Sequence, residues 1–171
     1  MPTIDLTRRA DEAELEYKAV LSEAPLESES TRYTGVIYSL TTSSMHGTYI
    51  DFPGHIKETD NGLYAHNFPH EELYRVPASV IHLDRDRGPV SGAELEHAFG
   101  GVPRTPVLVI NGLGARDETE LPKRIVYLDH SALDWIIASG VRYLISDIYE
   151  SQALHGVFLK LFKAGITAIC C

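Results

Sequence analysis

The chain has 171 residues, 44% of them hydrophobic, and a formal net charge of -9 at pH 7. That length suffices for one domain, residues 1–171, with a substantial core, and no apolar run is long enough to span a bilayer. The acidic balance argues against a nucleic-acid or anionic-membrane partner, since both reward a basic face.

Thr3-Ile4-Asp5-Leu6 reads as a short opening strand without the apolar h-region of a secretory signal. Residues Ala10 to Ala24, rich in Glu, Ala, Leu and Lys, favour a helix with a thin apolar stripe at Leu15, Ala19 and Val20. After a polar break at 25–30, Arg32 to Leu40 is β-branched and aromatic and predicts a strand. Asn61-Gly62 marks a turn, and Leu63 to Tyr74, with His66, Pro69 and His70, reads as an irregular flap. Pro77 to Leu83 is a strand, and Ser91 with Glu94 forms a capping box opening a helix to about Phe99, ended by Gly100-Gly101.

Val107 to Ile110 is wholly apolar, as expected of a strand covered on both faces, and a charged, glycine-rich loop follows to Pro122. Ser131 to Ser139 predicts a helix stopped by Gly140, and Val141 to Ser146 a second buried strand ending at Asp147. Leu154, Val157, Phe158, Leu161 and Phe162 recur at helical spacing before Gly165, and Ile166 to Cys171 begins a third strand. This order implies an α/β fold, with parallel β-α-β units in the C-terminal half and a strand-rich first half. The two cysteines, Cys170 and Cys171, are adjacent. Neighbouring α-carbons lie about 3.8 Å apart, too close for ordinary disulfide geometry. With no disulfide framework, a cytoplasmic location is expected.

The chemistry concentrates in Ser44 to His55, which holds an acid, two histidines, a tyrosine, two glycines and a proline. Gly47, Thr48, Asp51, Pro53 and His55 stand in register with the signature H-x-G-T-H-x-D-x-P-x-H of the cyclase family, which includes kynurenine formamidase and isatin hydrolase. Ile4-Asp5-Leu6-Thr7 is similar to that family's opening strand. Leu133 to Asp147, and the helix before Ala164-Gly165-Ile166, resemble later units. The resemblance implies a swivelling β/β/α fold with a mixed sheet, a homo-oligomer (dimer or tetramer), and metal-dependent hydrolysis of a small amide, lactam or lactone. It also implies further strands beyond Cys171, which this sequence lacks.

The family's motif histidines, ligands to zinc or manganese with the aspartate, are replaced here by Met45 and Tyr49. Thioether and neutral phenol are poor ligands for such ions, so the family's route of lowering a bound water's pKa loses most of its support. Asp51 remains as a candidate ligand, with His46, His155 or Cys170 as partners. His46 is one residue out of register, and Cys170 falls where the resemblance places a glutamate. A protein with no metal at all is the other expectation. Asp51 and His55 are the candidate catalytic pair, because an imidazole oriented by a carboxylate can move a proton without a metal. Their bland reading is a capped turn and a satisfied loop histidine. Met45, Thr48, Tyr49 and His66 are candidate substrate-pocket residues. Two alternatives stand beside the hydrolase: a non-catalytic relative that binds a ligand or assembles, and a nucleophile at Cys170.

Overall fold

A computed structural model describes residues 18–45, 47–116 and 121–170, which divide into two compact units at Tyr49/Ile50. The opening strand expected at 3–6 lies outside the described residues.

The first unit is built on an antiparallel ribbon of β1 (Lys18–Glu27) and β2 (Arg32–Thr41). Its register runs without interruption from Lys18↔Thr41 to Glu27↔Arg32. The turn is closed where the Ser28 N–H donates to the Thr31 carbonyl at 2.8 Å. Here the expected helix to Ala24 is overturned: residues 18–24 are strand. Helix propensity is worth only tenths of a kcal/mol per residue. The β-branched and aromatic run of β2 needs a partner for its backbone, and pairing with β1 supplies it. Pro25 would in any case have disrupted a helix continuing past Ala24.

The second unit is an α/β domain around a five-stranded sheet in the order β3-β9-β8-β6-β4. These strands are β3 (Tyr49–Asp51, which spans the division), β4 (Ala78–His82), β6 (Val107–Asn111), β8 (Tyr143–Ser146) and β9 (Thr167–Cys170). Strands β4, β6, β8 and β9 are mutually parallel, as the β-α-β reading requires. Two short strands absent from the sequence reading, β5 (Gly88–Val90) and β7 (Val126–Leu128), form a separate parallel pair. Helices α1 (Gly92–Phe99), α2 (His130–Ala138) and α3 (Val157–Lys163) complete the unit.

Alternate strand residues face two different layers. Ile81, Leu108, Ile110 and Leu144 pack with Leu95, Leu133, Ile136 and Leu161 of the helices, all essentially inaccessible to water. On another patch Val107, Val109, Tyr143 and Ile145 meet Phe52, Leu63, Phe68, Leu73 and Val76. The segment read as an irregular flap is thus anchored to the core by Phe68. The all-apolar strand β6 follows from this double coverage.

Local signals set the helix ends. The Ser91 hydroxyl accepts from the Glu94 N–H at 3.3 Å, and Gly100 closes α1. The Glu94 carboxylate pairs with Arg85 at 3.5 Å. Helix α2 starts one residue before the expected Ser131, because the Asp129 carboxylate accepts from the Ala132 N–H at 2.9 Å. Helix α3 is shorter than its apolar spacing suggested. Gly156 caps it at φ 78°, a left-handed conformation incompatible with a helix interior, and Leu154 is left exposed.

Candidate functional site

Strand β3 ends at Asp51, and Pro53 opens a 3-10 turn over Pro53–His55. The fixed φ of proline suits the first position of such a turn, where its missing N–H is not needed. The His55 N–H donates to the Phe52 carbonyl at 2.9 Å, which folds the imidazole back over the strand end. As a result His55 Nδ1 lies 3.3 Å from Asp51 Oδ1. Asp51 is buried at 6% exposure, whereas the His55 side chain retains 38%. Burial pushes the Asp51 carboxyl above its ordinary value, and the charge of His55 partly offsets this. One partner is therefore held by the core and the other reaches solvent.

The following loop braces this turn. The Thr59 hydroxyl donates to the Pro53 carbonyl at 2.7 Å, and the Tyr64 hydroxyl donates to Asp60 Oδ2 at 2.6 Å. A β-carbon on Gly54 would lie 2.7 Å from Tyr64 Cε1, so only glycine lets the tyrosine ring close over the turn. His66 stacks on the Tyr64 ring at 5.7 Å between centroids. His66 therefore joins the same loop as His55, through Tyr64, and is exposed.

Of the other candidates, Tyr49 begins β3, two residues before Asp51. Met45, Thr48 and Tyr49 belong to the first unit, with Met45 47% exposed. His46 and Cys171 lie outside the described residues. Cys170 sits half-buried at the end of β9, opposite Ser146 of β8. Asp147 accepts from the Gly112 and Leu113 N–H groups at 2.7 and 3.0 Å, tying the loop after β6 to the end of β8.

His155 belongs to a second cluster that the sequence reading missed. Glu150, 6% exposed, places Oε1 2.6 Å from His155 Nδ1 and also accepts from the His155 backbone N–H at 2.6 Å. The other ring nitrogen lies 2.9 Å from the Leu128 carbonyl, and the Ser151 hydroxyl is 3.0 Å from Nδ1. Because serine and carboxylate crowd the same nitrogen while a backbone carbonyl occupies the other, this is not a relay in which the imidazole activates the hydroxyl. It anchors the loop that enters α3. The available signal was an acid five residues before a histidine, in the loop after a parallel strand. Beside it opens a cleft of about 440 Å³ whose rim includes Arg87, Arg124, Tyr127, Ser151 and Gln152, but neither Asp51 nor His55.

Among the described residues the candidate donors do not gather into a site for a resident catalytic ion. Among the described residues no group of three or more His, Cys, Asp or Glu side chains is gathered closely enough to hold a metal. Asp51, His155 and Cys170 therefore do not converge on one centre.

Fold and site together define an α/β protein with a carboxylate–imidazole pair at the end of an edge strand. The Cyclase family model, described as "Putative cyclase", matches residues 4–152, and the chain belongs to that family. The solved structures it resembles show the same fold at low identity. One is described as a predicted metal-dependent hydrolase from Bacillus stearothermophilus (TM-score 0.54, 14% identity, 99% of this chain and 78% of that one). A second is described as a potential metal-dependent hydrolase with cyclase activity (0.53, 16%, 90% and 80%). A third is an isatin hydrolase bound to the product analogue thioisatinate (0.57, 13%, 99% and 73%). No protein of curated function matches the chain. No helix among the described residues is long and apolar enough to cross a membrane.

Proposed function

We propose that the chain is a hydrolase of a small amide, lactam or lactone in which Asp51 and His55 activate the attacking water. The observation that carries this reading is the 3.3 Å approach of a buried carboxylate to Nδ1 of a solvent-reaching imidazole. With Nδ1–H directed at Asp51, Nε2 is left to take a proton from water. The water oxygen attacks the acyl carbon, the C–N or C–O bond breaks, and His55 returns the proton to the departing nitrogen or oxygen. In this reading His66, exposed and stacked on the Tyr64 ring beside Gly54, contacts the substrate. Kinship with proteins described as metal-dependent hydrolases and as an isatin hydrolase supports the reaction class. The donors among the described residues do not support routing the step through zinc or manganese. The working unit is a homo-oligomer.

The test is hydrolysis of a panel of formamides, lactams and lactones by purified protein, alongside metal analysis. Turnover that falls at least a hundredfold in His55→Ala and persists with chelator supports the reading. Activity unchanged by His55→Ala ends it.

A second reading, a non-catalytic relative that binds a ligand or assembles, is favoured by the lack of a three-donor group among the described residues. Zinc or manganese bound one per chain and lost in Asp51→Ala would count against it.

A further inference from the structure

The cleft of about 440 Å³ beside the Glu150–His155 cluster is built wholly within the second unit. Strands β5 and β7 hold two of its sides together. Their register pairs Gly88 with Val126, and the Gly88 N–H donates to the Ile125 carbonyl at 2.8 Å. Arg87 and Arg124 each stand one residue before a partner in that bond, so both come to the same end of the strand pair. The loop after β8 makes the third side, where Gln152 Nε2 donates to the Lys123 carbonyl at 3.4 Å. The lining charge is of one sign. Among the described residues two guanidinium groups and no carboxylate line the cleft, on a chain of net charge -9. Glu150, one residue from Ser151, is turned inward to His155. Arg87 meets its neighbour Asp86 at 3.6 Å, but both side chains are largely exposed and such a pair is worth little. Arg124 is held at φ 61°, a left-handed conformation uncommon outside glycine, and such outliers gather at ligand clamps.

We propose that this cleft binds a small organic carboxylate with an apolar body. Arg87 and Arg124 take the carboxylate, and the body lies against Ile125, Tyr127 and Ala153. The proposal is independent of the hydrolase reading, since neither Asp51 nor His55 lines the cleft. A guanidinium presents paired N–H donors whose spacing matches a planar carboxylate. The Gln152 amide at the rim supplies a further donor. The apolar wall decides against a bare phosphate or sulfate, which would leave that wall unused and give up hydration for it. The volume of about 440 Å³ falls within the roughly 300–1,000 Å³ of small-molecule sites. Both guanidinium groups remain open to solvent and salt, so the affinity is modest, with a dissociation constant on the order of 1 mM.

Amide NMR spectra of the isotope-labelled full chain, titrated with phenylacetate to about 50 mM at constant ionic strength, test the proposal. Saturable shifts should concentrate on Gly88, Ile125, Tyr127 and Gln152. Arg87→Gln and Arg124→Gln should each weaken binding about tenfold. Arg104→Gln, at an exposed arginine that does not line the cleft, should leave it unchanged. Ala153→Leu, which crowds the apolar wall without touching the charge, should also weaken it. Neutral phenylacetamide and inorganic phosphate should each bind at least about tenfold more weakly than phenylacetate. Variant spectra that match wild type away from the cleft show that the fold is kept. No saturable shift, shifts centred elsewhere, or cleft shifts unmoved by both arginine variants overturn the site. Phosphate or phenylacetamide binding as tightly as phenylacetate overturns the ligand class.

Discussion

Glu150 offers the sharpest test of how the loop into α3 is held. Its carboxylate is nearly inaccessible and receives both the imidazole and the backbone N–H of His155, each at 2.6 Å. Glu150→Ala removes that acceptor and leaves two donors facing a cavity. Breaking a buried pair by deleting one partner costs about 3–5 kcal/mol. His155 keeps its contacts with the Leu128 carbonyl and Ser151 and is 18% exposed, so the lower end, about 3 kcal/mol, is the expectation. Glu150→Gln retains one carbonyl acceptor and should lose only about 1 kcal/mol. Urea unfolding followed by Trp135 fluorescence reads the difference. With a slope of about 1–3 kcal/mol per molar, the alanine variant's midpoint falls by 1 M or more. His155→Ala combined with Glu150→Ala should cost clearly less than the two single losses added together. Equal, sub-kilocalorie losses for Glu150→Ala and Glu150→Gln, or strict additivity of the double variant, would refute the reasoning.

Other expectations concern the candidate pair and its supports. Asp51, raised by burial, binds its proton more tightly folded than unfolded. Its contribution is favourable only at low pH and is lost as pH rises from the unfolded value of 3.8 through the raised one. Asp51→Asn should therefore melt higher than wild type at neutral pH, with the gain shrinking on acidification, while turnover of the hydrolysed substrate disappears. Asp129 behaves oppositely. Burial works against its charge, but hydrogen bonds from Ser131 and the Ala132 N–H hold the carboxyl below its usual range. Asp129→Ala should thus cost about 1 kcal/mol in neutral denaturant titrations, a difference that vanishes as pH falls through the lowered value. Gly54→Ala forces its new methyl against the Tyr64 ring and should lower activity with an altered KM, measured on the same substrate panel. Metal analysis of purified protein should read well below one zinc or manganese per chain.

The Asp51–His55 pair could be read from the sequence because it is local. Four residues and a proline-fixed turn are enough to bring the two side chains together. Ser91 and Gly100 were legible for the same reason, since helix ends depend on groups within one turn of backbone. The unbroken apolar run Val107–Ile110 announced a strand with two covered faces, but not that Phe68 and its neighbours anchor the segment on one side.

What the sequence by itself determined is the set of short-range decisions: the strands read at Val107 to Ile110 and Val141 to Ser146, the Ser91 and Gly100 ends of α1, and the family pattern around Gly47 to His55. Only the tertiary structure decided that residues 18–24 form a strand, because a helix preference of tenths of a kcal/mol yields to backbone pairing with β2. It alone drew His155 to Glu150 and into a cluster with the end of β7. The physical reason is the same in both cases. Pairing and burial join residues that one sequence window does not show together, and their free energies exceed the local preferences that such a window reports.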